Sequence, residues 1–267
     1  MDLPKDGASR QGGRNTSSSA YTIPTDLVDL PSRGKFYPQG HPLHAEETIE
    51  IRYMTTKEED ILLNQSFLEK GIILDKLIES LLVDQKIDVA TLLIGDKNAI
   101  IINARKNAYG TKYEFKYTCI HCYEESEHTV DLADVSFSGQ DDLKFTDNGT
   151  FLIDLPVSNI TIEVGLLTAK DEIEINKKIK QKEKHGLAGQ PTVERYRKII
   201  KSVDGDTDIM AIANFVMNMP IKDSRRLAKT YVKHNPDVDF TFSAECSKCS
   251  KTTQGGVPLS ANFFWLD

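Results

Sequence analysis

Tyr113-Glu114-Phe115-Lys116-Tyr117-Thr118-Cys119-Ile120-His121-Cys122 and Phe240-Thr241-Phe242-Ser243-Ala244-Glu245-Cys246-Ser247-Lys248-Cys249 decide the reading of this chain. Each stretch alternates apolar and polar side chains, the period of a half-buried strand, and then turns through C-x-x-C. Polar return strands are predicted near Glu127–Leu132 and Thr252–Pro258. Each cysteine pair therefore sits at the tip of an antiparallel unit. A C-x-x-C turn spaces two thiolates so that one metal can take both, and two such turns complete the tetrahedral S4 set that zinc prefers. Cys119, Cys122, Cys246 and Cys249 are all the cysteines in the chain. They are the predicted ligands of one structural Zn2+. Residues 123–245 separate the pairs, so the ribbon would be split by an inserted region. A redox dithiol needs its motif to open a helix, and neither motif does. Two disulfides are disfavoured because the N-terminus shows no secretory signal. Iron, a lost metal or a packing role stay open as alternatives. His121 and His128 are read either as exposed loop and strand residues or as groups supporting the metal ligands.

The surroundings of the cysteines bound the function. The 267 residues carry a net charge of −7, with 39% hydrophobic and 27% charged side chains. That is the balance of a globular protein with a real core. Nucleic-acid binding needs a basic surface, whereas Glu124, Glu125, Glu127 and Glu245 surround the knuckles. No apolar run is long enough for a membrane span.

Working outward, five segments are expected. Residues 1–20, rich in Ser, Gly, Arg and Asn, form a disordered arm or one that orders on a partner. Residues 21–47, punctuated by Pro24, Pro31, Pro38 and Pro42, form an extended strap anchored by Leu27, Leu30, Phe36 and Tyr37. It lies on its own domain or on a neighbour.

Residues 48–134 lead into the first knuckle. They hold a strand at Thr48–Met54 and a helix that Thr56 and Glu59 open as a capping box, running to Lys70 and stopping at Gly71. A second helix covers Ile72–Leu82. A third begins after Asp88, is interrupted by Gly95, and is restarted by Asp96 as a cap.

Residues 135–236 carry a hairpin (Phe151–Leu155 with Ile160–Val164) and a helix from Ala169 to Lys184 capped by Thr168. Its lysine-rich end is read as solvated. Further helices fall near Thr192–Ser202, Asp208–Met219 and Lys222–Lys233. Residues 237–267 hold the second knuckle and the tail Phe263-Phe264-Trp265-Leu266, which either folds back on the ribbon or plugs a groove on a neighbour. The fold class expected is α+β: a mainly helical body with small antiparallel β units, including the split zinc ribbon.

Catalytic signatures are absent. There is no phosphate loop, dinucleotide fingerprint, H-E-x-x-H or G-x-S-x-G. Asp204-Gly205-Asp206-Thr207-Asp208 lacks the glycine placement and the final Glu of a calcium loop. No catalytic residue is named, and no small-molecule substrate is expected.

Several segments carry a resemblance in their order: Leu30-Pro31-Ser32-Arg33-Gly34-Lys35-Phe36-Tyr37-Pro38, Arg52-Tyr53-Met54-Thr55-Thr56-Lys57-Glu58-Glu59-Asp60, Leu92-Leu93-Ile94-Gly95-Asp96-Lys97-Asn98-Ala99, Tyr109-Gly110 and the first C-x-x-C. Together they resemble the baseplate hub proteins of T-even-type contractile-tailed bacteriophages, over roughly residues 28–266. The resemblance implies a non-enzymatic structural role in the baseplate hub, synthesis in the host cytoplasm, residence in the virion tail, and other hub and tail proteins as partners. Two rival expectations are a hub or tail assembly chaperone absent from the virion and a zinc-ribbon nucleic-acid-binding protein.

Overall fold

The computed structural model describes residues 22–139, 145–146, 148–257 and 259–265. The arm expected over residues 1–20 and the last two residues of the tail, Leu266 and Asp267, lie outside them. The first strand, β1 (Thr25–Asp29), pairs antiparallel with β2 (Thr48–Arg52), Leu27 opposite Glu50. Then come α1 (Thr56–Leu62), α2 (Gln65–Lys70), α3 (Ile73–Leu81) and, past a 3-10 turn at Val89–Thr91, α4 (Ile94–Tyr109). The hairpin of β3 (Lys112–Thr118) and β4 (Glu125–Asp131) carries the first knuckle. After β5 (Ser136–Ser138), a three-stranded antiparallel sheet forms from β6 (Phe151–Asp154), β7 (Thr161–Val164) and β8 (Ile200–Val203). Between its last two strands lie α5 (Ala169–Lys184) and α6 (Pro191–Ile199). The chain continues through α7 (Ile209–Asn218), α8 (Ile221–His234), β9 (Asp237–Asp239), which pairs with β5, and the second knuckle hairpin of β10 (Thr241–Glu245) and β11 (Thr252–Gly256). It closes on a 3-10 turn at Ala261–Phe264. The class is α+β, as the two hydrophobic periods predict.

One continuous core runs from Val28 to Phe264. Its centre is α3 against α4: Leu77, Ile78, Leu81, Leu92 and Ile100 are fully buried. In α3 the buried residues Ile73, Leu77, Ile78 and Leu81 recur at helical spacing, so one apolar stripe faces inward. Gly95 lies inside α4, where a Cβ would come within 2.0 Å of the Pro236 carbonyl oxygen. Only glycine lets the helix approach the Pro236–Asp237 backbone this closely. Asn98 ties the same contact with a 3.0 Å hydrogen bond to the Asp237 carboxylate.

Several expectations are corrected. The segment expected as an extended strap is a strand followed by consecutive turns, and it folds onto its own chain. Leu30, Phe36 and Tyr37 are buried there, but Leu27 faces solvent and Val28 points inward, because the strand register places Val28 opposite the buried Ile49. The turns are held by the carboxylate of Asp96, which is buried. It accepts from the Ser32 N–H at 2.9 Å, the Ser32 hydroxyl at 2.6 Å and the Tyr37 hydroxyl at 2.7 Å. Asp96 therefore does not restart a helix: α4 runs through Gly95 and Asp96 from its N-cap at Leu93.

The first capping box is shifted by one residue. Thr55 is the N-cap and Glu58 closes the box, its carboxylate accepting from the Thr55 N–H at 2.9 Å. The helix expected to reach Lys70 unbroken is cut at Asn64, whose side chain caps α2 by accepting from the Phe67 N–H at 3.2 Å. The end of the helix expected over Thr192–Ser202 is instead β8. Its Ile162-facing side joins the hairpin that the sequence already showed.

Candidate metal centre

The two knuckle hairpins meet face to face. Phe242 of β10 packs between Phe115 and Tyr117 of β3, with ring centroids at 4.9 and 5.3 Å, and His128 of β4 lies 5.7 Å away. The Tyr117 hydroxyl also donates to the Glu245 carbonyl at 3.2 Å. This aromatic contact sets the hairpin tips side by side and so brings the cysteines together.

The two turns have matching geometry. In the first, the Cys119 N–H donates to the Glu124 carbonyl and the Tyr123 N–H to the Cys119 carbonyl, both at 2.9 Å. In the second, the Cys246 N–H donates to the Lys251 carbonyl at 3.0 Å and the Ser250 N–H to the Cys246 carbonyl at 2.9 Å. Tyr123 (φ 60°) and Ser250 (φ 52°) occupy the left-handed region at equivalent positions. A non-glycine residue rarely adopts that conformation without a local reason. Here it reverses the chain so that both sulfurs of a pair face the same point.

All four sulfurs lie within 4.8 Å of one another. Cys119 and Cys249 are 3.7 Å apart at Sγ, and Cys122 and Cys246 are 3.6 Å apart. Zinc–thiolate bonds of about 2.3 Å in a tetrahedron require sulfur separations of about 3.8 Å. The close pairs run between the knuckles, so the set is one cluster and not two separate turns. The four residues alternate buried and half-buried, Cys119 and Cys246 being the inner ones. The cluster could hold a metal ion, and its all-sulfur donor set fits zinc or another thiophilic ion.

The electrostatics run the same way. The His121 N–H at 3.4 Å, with the Thr253 hydroxyl at 3.6 Å, pulls the Cys119 thiol down to about 6. The N–H groups of Cys249 and Lys248 lower Cys246. At Cys122 the Glu124 N–H also lowers, but burial and the other three sulfurs outweigh it and push the thiol up to about 12. Four thiolates this close repel unless a cation sits among them. The lowered thiols of Cys119 and Cys246 favour the thiolate form in which cysteine binds a metal ion.

His121 is exposed, with Nε2 3.3 Å from the Thr252 carbonyl, and His128 sits in the aromatic contact. Neither belongs to the sulfur cluster. The aspartates of the Asp204–Asp208 stretch do local work: Asp208 caps α7 by accepting from the Ala211 N–H at 2.7 Å, and Asp204 accepts from the Thr161 N–H at 2.8 Å. Among the described residues the cysteines are the one cluster with metal-ligand geometry.

The family model described as T4 bacteriophage base plate protein matches residues 23–265. The chain belongs to that family. The match covers both knuckles and everything between them, so the split ribbon lies within the family's span and is no appended module. A baseplate family implies a structural place in the virion tail and association with other baseplate proteins. No curated protein matches the chain, and no solved structure matches it. Among the described residues no helix is long and apolar enough to cross a membrane.

One buried charge is not visible in the sequence patterns. Arg105 of α4 is only 2% exposed. Its Nε donates to the Phe263 carbonyl at 3.0 Å, and its guanidinium carbon lies 4.7 Å from the Tyr109 ring centroid and 5.7 Å from that of Tyr113. An arginine at this spacing reads as a solvated helix face. The sequence leaves open whether the aromatic tail folds back here or docks on a neighbour. Phe263 and Phe264 are buried, Phe263 against Tyr113 at 4.6 Å and Phe240 at 5.7 Å, so this part of the tail folds back on its own protein. Trp265 remains 40% exposed.

Proposed function

We propose that the protein is a structural component of the central hub of a bacteriophage tail baseplate, stapled by one structural zinc and without catalysis. The family match over residues 23–265 carries the baseplate role. The hub assignment rests on the ordered motifs from Leu30 to Cys122. The zinc assignment rests on four cysteine sulfurs within 4.8 Å of one another. Cys119, Cys122, Cys246 and Cys249 would hold the ion, and it would supply folding energy, because a closed S4 site leaves no position for water or substrate. The acidic chain, with Glu124, Glu125, Glu127 and Glu245 around the knuckles, supports protein partners over nucleic acid.

Mass spectrometry of purified virions tests the structural role. The chain is expected in finished particles, in a fixed ratio to other hub proteins. Its absence from virions together with its presence in assembly intermediates would assign it to the chaperone class. Cross-linking within isolated baseplates tests the position: cross-links to proteins on the central axis are expected, and links only to peripheral baseplate proteins would reject the hub.

A further inference from the structure

We infer that the groove beside Arg105 docks a segment of a neighbouring protein that carries a carboxylate next to an apolar side chain. The groove has a volume of about 500 Å³, and Arg105, Lys112, Tyr113, Phe115, Lys116 and Trp265 are among the residues that line it. Three observations on different atoms converge there.

The first is an unspent charge. The Nη1 atom of Arg105 is buried and has no hydrogen-bond partner. Among the described residues no ion pair involves Arg105, whereas Lys112 pairs with Asp131 at 2.9 Å and Lys116 with Glu125 at 3.8 Å. A guanidinium stays protonated at neutral pH, so among the described residues Arg105 holds a positive charge that meets aromatic faces and a carbonyl but no carboxylate. Such a group costs stability unless something completes it, and a carboxylate can complete it by accepting a charge-assisted hydrogen bond from Nη1.

The second is the apolar wall. Trp265 lines the groove while 40% exposed, beside Tyr113 and Phe115. Trp, Tyr and Arg are the residues that most often anchor interfaces. Phe263 and Phe264 fix the backbone just before Trp265, so the indole is presented and not left to fray.

The third is charge balance. Glu114 and Glu127 also line the groove. They disfavour a run of acids and favour a single carboxylate flanked by apolar groups. The inference does not depend on where in the baseplate the protein sits, so a failed hub assignment leaves it standing.

Trp265 is the only tryptophan in the chain, and its emission reads this groove directly. The full-length protein is titrated with acetyl-Leu-Glu-Leu-amide and with the Gln and Lys counterparts. The Glu peptide is expected to shift Trp265 emission to the blue and saturate. The Gln peptide is expected to bind about tenfold more weakly, the usual penalty for losing one charge-assisted hydrogen bond. The Lys peptide is expected to give no shift.

Arg105→Met should abolish the preference for Glu over Gln, and because it also removes the bond to the Phe263 carbonyl its melting temperature is expected to fall. Arg105→Lys keeps the charge without the fork and should retain only part of the preference. It serves as the test if the methionine variant does not fold. Equal responses to the Glu and Gln peptides, or none to Glu into the millimolar range, would overturn the inference. So would emission already blue-shifted in the isolated chain that removal of Leu266 and Asp267 abolishes, which would assign the groove to those two residues. A shift that grows with protein concentration alone would assign it to a second copy and likewise overturn it.

Discussion

At the scale of single residues, two kinds of buried polar group do different work. The cysteine sulfurs lie close enough to share one cation, and on the proposed reading elemental analysis of the purified protein is expected to give about one zinc per chain. Cys246→Ser removes an inner sulfur of the proposed site, from a residue whose N–H and C=O also close the second knuckle. It should lower the melting temperature by as much as strong chelation does, because metal binding and folding are coupled. Two intact disulfides and no metal would end the zinc reading.

Asp96 is the contrasting case, a carboxylate satisfied by protein donors alone. Burial raises its pKa, the hydrogen bonds from Ser32 and Tyr37 oppose that, and the charge of Asp237 adds to the rise. The folded state then binds a proton more tightly than the unfolded chain does. Stability from this site is complete below the unfolded value of about 3.9 and falls as pH rises through the raised folded value. A carbon-13 titration should find Asp96 above the ordinary aspartate range; a value below it would show the donors winning over burial. Asp96→Ala strands the Ser32 and Tyr37 donors and should cost about 1–3 kcal/mol in urea unfolding.

Elements are placed by a few local signals, and these can be separated experimentally. Thr55 and Thr56 are adjacent, and a sequence pattern with Glu58 and Glu59 in tandem fits either as the cap. The structure chooses Thr55, because Glu58 is also held by the Ser80 hydroxyl at 2.5 Å and by Arg52 at 3.8 Å across the fold. Thr55→Ala should therefore cost about 1 kcal/mol and Thr56→Ala close to nothing. Comparable losses in thermal melts would put the cap elsewhere.

Gly95→Ala forces a methyl group into the Pro236 backbone and should destabilise by about 3 kcal/mol or more, since backbone cannot give way as a side chain can. Gly95 shows the limit of reading elements from sequence. A glycine inside a helical pattern reads as an interruption, while its real role, making room for a strand far along the chain, is not a local property. β5 was missed for a related reason. Ser136-Phe137-Ser138 is too short to show a period, and it is a strand only because Val238 lies opposite Phe137. At β8, Ile199 and Ile200 continue a helical stripe smoothly, so the change of state has no local mark.

For the molecule as a whole, the two hairpins that carry the cysteines were legible because strand period and C-x-x-C spacing are short-range signals that agree. That they share one site followed from counting ligands. The folding-back of Phe263 and Phe264 onto Tyr113 and Arg105 was not legible, since four large apolar residues at a chain end fit either self-docking or a partner. The segment from Pro31 to Ala45 belongs to this scale too, because Asp96 holds it from another part of the chain. Trypsin should therefore spare Arg33 and Lys35 in the isolated protein, although both side chains are exposed; rapid cleavage there would show that the turns open in solution.

The distance along the chain between the knuckles has a consequence for synthesis. Cys119 and Cys122 leave the ribosome long before Cys246 and Cys249, so the first pair waits as an open dithiol while the helical region between them is made. A product cut short anywhere before Cys249 can never assemble the S4 site. With the proposed zinc bound, the cluster would mark completeness of translation: only a chain read through its second knuckle would bring all four sulfurs together.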